Sequence, residues 1–383
     1  MENPIYCSNP KLQFLAQRQE ISDSIFRVLN SDTYILGSEV SNFETEFATY
    51  LGVANCVSVN SGTDSIILGL RALEISHGDE VITPSHTAVA TVAAIVSVGA
   101  TPVFIDIDAL SYTLNPNSVI EAITSKTKAI IAVHLYGNAC EMDLICKISR
   151  DFDIHLIEDC SQAHGAKWRN RKLGTFGILA CFSFYPTKNL GAIGDGGAVV
   201  TNENELAETI RKLRQYGWDK ERVSQLSSTV SRLDELQAAI LRVKLLSLDS
   251  GNDKRRKNAL RYSELLKDSN LTLPTVNPNA EHVYHLFVIQ TPNREQIIKE
   301  MNYCQIFPGI HYPQPVHLQP AYNHGKNSPT FKLANTEKIM NNILSLPMYP
   351  ELSESEIERV CEVITKFDST NHRETDTELG SMK

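Results

Sequence analysis

The chain has 383 residues, of which 42% are hydrophobic and 21% charged, a composition typical of a soluble protein with more than one domain. Its formal net charge of −9 argues against general binding of nucleic acids or anionic membrane surfaces. The eight cysteines form no CxxC pair, which favours a reducing compartment, and no apolar run reaches the roughly 20 residues of a membrane span. We therefore expect a cytoplasmic protein with no nucleic-acid or membrane partner and no metal site.

The N-terminal third begins with helical patterns. Apolar spacing predicts a helix over 11–30 and another from Glu39 to Leu51, which Gly52 would end. The β-branched run Cys56 to Val59 predicts a strand, and Ser61 to Asp64 offers capping residues for the helix that follows at once. Two interpretations of this junction stay open: plain helix capping, or an anion site built from unpaired N–H groups.

Strands and helices then alternate. The predicted strands are Glu80 to Thr83, Thr101 to Asp106, Ala129 to His134 and His155 to Glu158. The predicted helices are Pro84 to Val98, Ser118 to Ile123 and Met142 to Asp151. This alternation predicts βαβ units and a mostly parallel sheet. Functional residues of such sheets collect in loops at the carboxyl ends of strands, here Asn60 to Thr63, Glu158 to His164 and Ser183 to Lys188.

The segment from Ala180 to Thr201 places Lys188 between an apolar run and a glycine cluster. A lysine on a loop that ligand and backbone can approach closely is a candidate Schiff-base nucleophile. Taken alone, the segment is better explained by a solvated loop lysine beside a turn.

The three strand-end loops carry groups that suit a phosphorylated pyridine aldehyde. Asp159 can keep a pyridine nitrogen protonated, and Gln162 can contact the ring hydroxyl. Ser183 can join Gly62 and Thr63 at a phosphate. Each residue also has a structural alternative, such as helix capping, pairing with buried backbone or a turn. Their joint placement at successive strand ends favours a cofactor site.

The C-terminal part is predicted to contain helices, a strand and a proline-rich loop. The helices are Glu203 to Gln215, a periodic helix after SRLDE, Asp253 to Lys267, Arg294 to Met301 and Ser353 to Phe367. The strand is His282 to Gln290, and the loop is Gly309 to Tyr322. We predict a large domain with N-terminal helices over 1–250, a smaller C-terminal domain over 251–367, and a disordered tail over 368–383.

The segments NSGTDSIILGL, EDCSQAHGA, FSFYPTKNLGAIGDGGAVVT and SRLDELQAAIL occur in order, and with them the chain resembles the DegT/DnrJ/EryC1/StrS family of sugar aminotransferases. The resemblance implies an α/β fold of the aspartate-aminotransferase type, fold type I, with a large domain and a smaller α+β domain. It also implies pyridoxal 5′-phosphate as cofactor. By resemblance, Lys188 is the covalent and proton-transferring lysine, Asp159 the partner of the pyridine nitrogen and Gln162 a ring contact. Ser183, Gly62 and Thr63 then form the phosphate cradle.

Two positions depart from the family pattern. Ala88 follows PSHT where family members usually carry an aromatic residue stacked on the cofactor, and His86 is an alternative stacking residue. Val230 precedes SRLDE where an asparagine usually reaches the phosphate of the partner subunit's cofactor. These departures leave open a degenerate family member that acts as a binding or regulatory protein. A related sugar dehydratase is disfavoured, because that branch replaces the internal lysine by histidine.

YGW, HLYGNACEMD and HYPQPVHLQPAY most resemble the branch that aminates C-3 of keto-deoxyhexoses linked to dTDP, with C-4 amination of a nucleotide-linked 4-keto sugar as the alternative. L-glutamate is the amino donor that the resemblance implies. His311, Tyr312 and His317 are candidates for the sugar pocket, although a proline-rich aromatic loop is as often structural. The family also implies a homodimer with shared active sites.

Overall fold

The computed structural model describes residues 3–322 and 333–366. The predicted tail over 368–383 and Phe367 lie outside these residues. Among the described helices, none is long and apolar enough to cross a membrane.

The helices, in chain order, are α1 (Pro10–Ala16), α2 (Arg18–Leu29), α3 (Ser38–Leu51), α4 (Gly62–Ala72), α5 (Val89–Ser97), α6 (Pro116–Ala122), α7 (Met142–Asp151), α8 (Asn204–Leu213), α9 (Glu235–Leu245), α10 (Leu248–Leu266), α11 (Arg294–Tyr303), α12 (Ala334–Met340) and α13 (354–366). Short 3-10 turns occur at Leu135–Gly137 and Val316–Leu318.

The strands are β1 (Ile5–Tyr6), β2 (Asn55–Val59), β3 (Glu80–Pro84), β4 (Thr101–Ile105), β5 (Thr127–Val133), β6 (His155–Asp159), β7 (Lys167–Trp168), β8 (Arg171–Lys172), β9 (Leu179–Ser183), β10 (Gly197–Thr201), β11 (Ala280–Glu281), β12 (Phe287–Gln290), β13 (Ile306–Phe307) and β14 (Ile343–Leu346).

The central sheet has the strand order β2-β10-β9-β6-β5-β3-β4. Its neighbours pair in parallel except at β10, which runs antiparallel to both β2 and β9. Buried residues of β5 alternate between two apolar layers, with Ile130 and Ala132 in one and Ala129 and Ile131 in the other. The strands are apolar on both sides because helices cover both faces. The predicted α/β fold with a mostly parallel sheet is confirmed.

A smaller α+β region follows the long helix α10. The antiparallel pair of β12 and β14 packs with α10, α11 and α13 around a core in which the rings of Tyr262 and Phe287 stack 5.0 Å apart. The first strand of the chain also joins this core, because Ile5 pairs with Ile306 and is fully buried. The domain boundaries given above remain a prediction.

Several predicted helices begin or end elsewhere in the structure. The helix predicted over 11–30 is broken at Gln17, whose backbone is not helical, into α1 and α2. The helix predicted from Asp253 begins five residues earlier, at Leu248. Neither difference moves a candidate functional residue.

Two further corrections do affect functional residues. The predicted helix Pro84 to Val98 starts only at Val89, because β3 continues to Pro84 and residues 85–88 form a loop whose first three residues are buried. The predicted strand His282 to Gln290 shortens to β12, because Tyr284 has a φ of 43°, which interrupts an extended backbone.

Packed aromatic rings support the strand that leads to Lys188. The ring of Phe47 on α3 meets Phe182 at 5.0 Å and Phe184 at 5.5 Å, both edge to face. All three side chains are fully buried. The side chains before Lys188 are therefore fixed by packing against α3.

We expect Phe47→Ala to lower the free energy of unfolding by about 3–5 kcal/mol, because it leaves a cavity against two rings. The matched control is Phe26→Ala, whose ring is 60% exposed and whose loss should change the stability by less than about 0.5 kcal/mol. Urea unfolding followed by tryptophan fluorescence measures both. Equal effects of the two variants would contradict the proposed support by α3.

Candidate active site

The carboxyl ends of β2, β6 and β9 meet at one cavity of about 360 Å³. Strand β10 lies between β2 and β9 and runs opposite to both, so β2 and β9 point the same way. The loops that follow these strands therefore open on the same edge of the sheet.

Most residues singled out from the sequence line this cavity. They are Gly62, Thr63, Ala88, Asp159, Gln162, Ser183, Lys188, His311 and Tyr312. His86 and His317 are not among its lining residues.

One wall of the cavity is the N-terminus of α4. Ser61 caps the helix, with its Oγ accepting a hydrogen bond from the Asp64 N–H at 3.1 Å. A Cβ on Gly62 would lie 2.5 Å from Ser183 Cβ, and a Cβ on Gly197 would lie 2.3 Å from the Ser61 carbonyl oxygen. Only glycine permits this approach, which brings the helix N–H groups beside the Ser183 hydroxyl. The wall suits a phosphate.

Asp159 is the last residue of β6 and is 5% exposed. Its Oδ2 accepts a hydrogen bond from Thr91 Oγ1 at 2.9 Å, and its Oδ1 accepts one from the Ser161 N–H at 3.1 Å. Thr91 is in turn bonded to Thr87 Oγ1 at 2.9 Å. The carboxylate is therefore held in one orientation, with lone pairs left for a ligand donor.

Lys188 brings the reactive amine to the cavity. Burial lowers the pKa of this amine to about 8, and the negative charge of Asp159 opposes that shift. The amine is therefore partly neutral close to physiological pH. A neutral amine can attack a carbonyl carbon, whereas an ammonium cannot.

Gln162 is fixed from both ends of its amide. Its Oε1 accepts a hydrogen bond from the Tyr136 N–H at 2.7 Å, and its Nε2 donates one to Tyr312 Oη at 3.0 Å. Tyr136 also donates a hydrogen bond to the carbonyl oxygen of His311. The 3-10 turn Leu135–Gly137, which contains Tyr136, thereby attaches the proline-rich loop with His311 to the cavity wall.

The structure places His86 away from the cavity. The ring is fully buried, and its Nε2 lies 2.7 Å from Tyr136 Oη. Burial lowers the pKa of His86 to about 3, which keeps it neutral. The expectation that His86 supplies the missing stacking face has no support in this arrangement, because Ala88 alone of the two lines the cavity.

His317 also points elsewhere. Its Nδ1 lies 2.7 Å from Ser85 Oγ and its Nε2 lies 3.4 Å from Glu337. It therefore attaches the proline-rich loop to the loop after β3, outside the cavity that His311 and Tyr312 line.

His285, which no sequence pattern singled out, also lines the cavity, and its Nδ1 lies 3.2 Å from Asn189 Oδ1 in a hydrogen bond. Its signal was hidden by the predicted strand His282 to Gln290. Asn189, the polar residue directly after Lys188, was the one sequence signal for a hydrogen-bond partner of His285. Tyr185, Thr187 and Asp195 line the cavity as well.

Val230, at the position where the family pattern has asparagine, is 40% exposed and forms an isolated bridge with Gln215. It is not among the lining residues of the cavity in its own subunit.

A mostly parallel sheet with helices on both faces, a smaller α+β domain, and a lysine in one cavity with a phosphate cradle and a buried aspartate define the pyridoxal-phosphate-dependent transferase fold type I. The DegT/DnrJ/EryC1/StrS aminotransferase family model matches residues 16–365. The chain belongs to this family.

Two curated relatives and one solved structure are closely similar. A dTDP-3-amino-3,6-dideoxy-alpha-D-galactopyranose transaminase from Aneurinibacillus thermoaerophilus is 45% identical over 350 residues, which are 91% of this chain and 96% of that protein. A dTDP-3-amino-3,4,6-trideoxy-alpha-D-glucose transaminase from Streptomyces venezuelae is 43% identical over 351 residues, which are 91% of this chain and 92% of that protein. The crystal structure of S. venezuelae DesV with a ketimine intermediate superposes with a TM-score of 0.93 at 41% identity, covering 96% of this chain and 99% of DesV.

We expect Asp159→Asn to lower the pKa of the Lys188 amine below about 8, because it removes the charge that favours the ammonium. Reductive ¹³C-methylation followed by an NMR pH titration of the Lys188 signal measures this pKa in the protein without cofactor.

The matched control is Asp195→Asn, which neutralises an exposed carboxylate that also lines the cavity. It should leave the Lys188 midpoint nearly unchanged. A midpoint that stays the same or rises in Asp159→Asn would refute the assigned electrostatic coupling.

Proposed function

We propose that this enzyme transfers the amino group of L-glutamate to C-3 of a dTDP-linked 3-keto-6-deoxyhexose, with pyridoxal 5′-phosphate as cofactor. The observation that carries the proposal is the Lys188 amine, with its lowered pKa, in one cavity with Asp159 and the Gly62–Ser183 wall. The C-3 position is supported by the names of the two relatives, both of which act on 3-amino sugars.

The residues present fit this cofactor. The N-terminus of α4 and Ser183 Oγ would hold the phosphate, Asp159 the pyridine nitrogen, and Lys188 the aldehyde carbon. Gln162 lies beside them with its amide already oriented. Ala88 offers the ring a methyl group in place of an aromatic face. Pyridoxal phosphate supplies an aldehyde that binds amines and a ring that accepts an electron pair.

The chain's own groups then have separate tasks. Asp159, buried and held by Thr91 and Ser161, keeps a ring nitrogen protonated. With the cofactor bound, the neutral Nζ of Lys188 would accept the proton from the α-carbon of the amino donor. In the second half of the reaction the same amine would return a proton to the cofactor side of the site. 2-Oxoglutarate leaves before the sugar enters, because both substrates use one site.

The sugar pocket is the side of the cavity formed by His311 and Tyr312. Tyr312 Oη is held by Gln162, and burial lowers the pKa of His311 to about 4, with the Lys188 charge adding to the shift. Both therefore present neutral polar groups, which suit sugar hydroxyls. His317, bonded to Ser85, takes no part in this pocket.

A homodimer is part of the proposal. Ile35, Ile193 and Leu236 are 49%, 54% and 37% exposed. They adjoin one another, since Ile35 pairs with Asp234 and the Ile193 N–H donates to Gln237 Oε1. A second copy that covers these side chains would bury apolar area beside the loop that carries Lys188.

We expect the native protein with pyridoxal phosphate to show a visible absorption band that glutamate bleaches. Lys188→Ala should not form this band, and amine transfer should fall by roughly 10²–10⁴-fold or more. Lys147→Ala, on the exposed surface of α7, is the matched control and should behave as the native protein.

Regiochemistry is tested with dTDP-linked 3-keto and 4-keto 6-deoxyhexoses supplied separately, with NMR locating the carbon that gains nitrogen. Amination at C-4 would replace the C-3 proposal by its alternative. A native protein that forms the band but transfers no amine to either sugar would favour the binding or regulatory function that Ala88 and Val230 suggest.

We further expect Val230→Asn to tighten cofactor binding in the dimer, because the new amide would reach the phosphate of the partner subunit. A hydrogen bond to a charged group contributes roughly 1.5–3 kcal/mol, which corresponds to a dissociation constant roughly 10- to 150-fold lower. The control is Val223→Asn, at a position 55% exposed. Equal affinities in both variants would argue against Val230 facing the partner's cofactor.

A further inference from the structure

A second cavity, of about 210 Å³, lies beside the loop that carries the reactive lysine. Its walls come from α1, from the start of α10 and from Pro350 and Glu351. Lys188 lines the active-site cavity, and the next residue, Asn189, lines this second cavity. The two cavities therefore lie on either side of one short segment.

The second cavity has more positive than negative side chains. Lys244, Lys254 and Arg255 line it, and Glu351 is the carboxylate among its described lining residues. Lys244 and Arg255 are only 7% and 2% exposed, whereas Lys254 is exposed. The described lining thus carries three cationic side chains against one anionic side chain.

The hydrogen bonds of the two buried cations do not neutralise their charge. Lys244 donates to the carbonyl oxygen of Gly191, and Arg255 donates to those of Tyr284, His285 and Met348. Carbonyl oxygens satisfy N–H groups but carry no net charge. Burial accordingly lowers the pKa of Lys244 to about 8 and that of Arg255 to about 10, despite the nearby Glu351.

The N-terminus of α10 adds a second positive feature to the cavity, the positive end of the helix dipole. Leu248, Ser250 and Gly251, all in its first turn, line the cavity. The helix has 19 residues, and its N-cap Ser247 makes no side-chain capping bond. The N–H groups at the N-terminus of α10 and the helix dipole favour an anion. They act on the same cavity that Lys244 and Arg255 line.

We propose that this cavity binds a small oxyanion, a phosphate or a dicarboxylate, and that the bound anion is coupled to the segment that carries Lys188. Lys244 connects the cavity to Gly191, and Asn189 connects it to His285 in the active site. An anion that draws the Lys244 ammonium toward itself weakens the bond to Gly191. The inference concerns binding and stands whether or not the sugar substrate is the proposed one.

The test is calorimetric titration of inorganic phosphate into the protein saturated with pyridoxal phosphate, so that the cofactor's own cradle is filled. Lys254→Glu changes an exposed lining charge and should weaken phosphate binding roughly three- to tenfold. Glu351→Gln removes the opposing carboxylate and should strengthen binding by a similar factor. Lys257→Glu, an exposed residue of the same helix outside the lining, should have little effect.

A parallel titration with glutarate distinguishes the source of the oxyanion. If only phosphate affinity changes in Lys254→Glu and Glu351→Gln, the cavity is a phosphate site. If only glutarate affinity changes in these variants, it is a dicarboxylate site. The proposal is overturned if neither anion binds the cofactor-saturated protein up to about 10 mM, a weak affinity for a small charged ligand. It is equally overturned if binding occurs but responds to neither lining variant, which would place the anion in the active site.

Discussion

The site depends on one close contact, in which the N-terminus of α4 crosses the start of β10 and rests against the end of β9. The contact exists because Gly62 and Gly197 lack a Cβ, which would lie 2.5 Å from Ser183 and 2.3 Å from Ser61 respectively. It sets helix N–H groups, a serine hydroxyl and the loop to Lys188 at one edge of the sheet. The antiparallel course of β10 makes this possible, since it brings the glycine end of that strand under the helix.

Three buried histidines that sense the charge of Lys188 carry no proton near neutral pH. His164, His285 and His311 all have a pKa lowered by burial first and then by the charge of Lys188. Near pH 7 these rings are neutral, so the amine of Lys188 is the basic group of this set that changes its charge.

The sequence was sufficient for the order of strands and helices from α3 to β6 and for the residues at the strand ends, whereas β10 and β14 were not predicted. Asp159 and Ser183 end strands β6 and β9, and Lys188 follows β9; the apolar runs in the sequence located both strand ends within two residues. Capping residues around Ser61 also marked the start of α4 within one residue. Periodicity and capping are local signals, because they depend only on residues that are close together in the sequence.

The orientation of His86 could not be obtained in this way. The run PSHTAVATVAA has the apolar density of a helix, yet residues 85–88 form a largely buried loop that is fixed by partners distant in sequence. His86 bonds to Tyr136 and Ser85 to His317, contacts that span 50 and 232 residues. His285 was hidden similarly, because one positive φ at Tyr284 ends the strand that its apolar neighbours predict.

The pairing of Ile5 with Ile306 also determines when the C-terminal core can be completed. Ile5 precedes its partner Ile306 by some 300 residues, so it leaves the ribosome long before its partner strand is made. During synthesis the large domain can form its sheet while this N-terminal strand is still unpaired. The core of the smaller domain is complete only once Ile306 pairs with Ile5, and a fragment starting at α10 would lack this buried isoleucine.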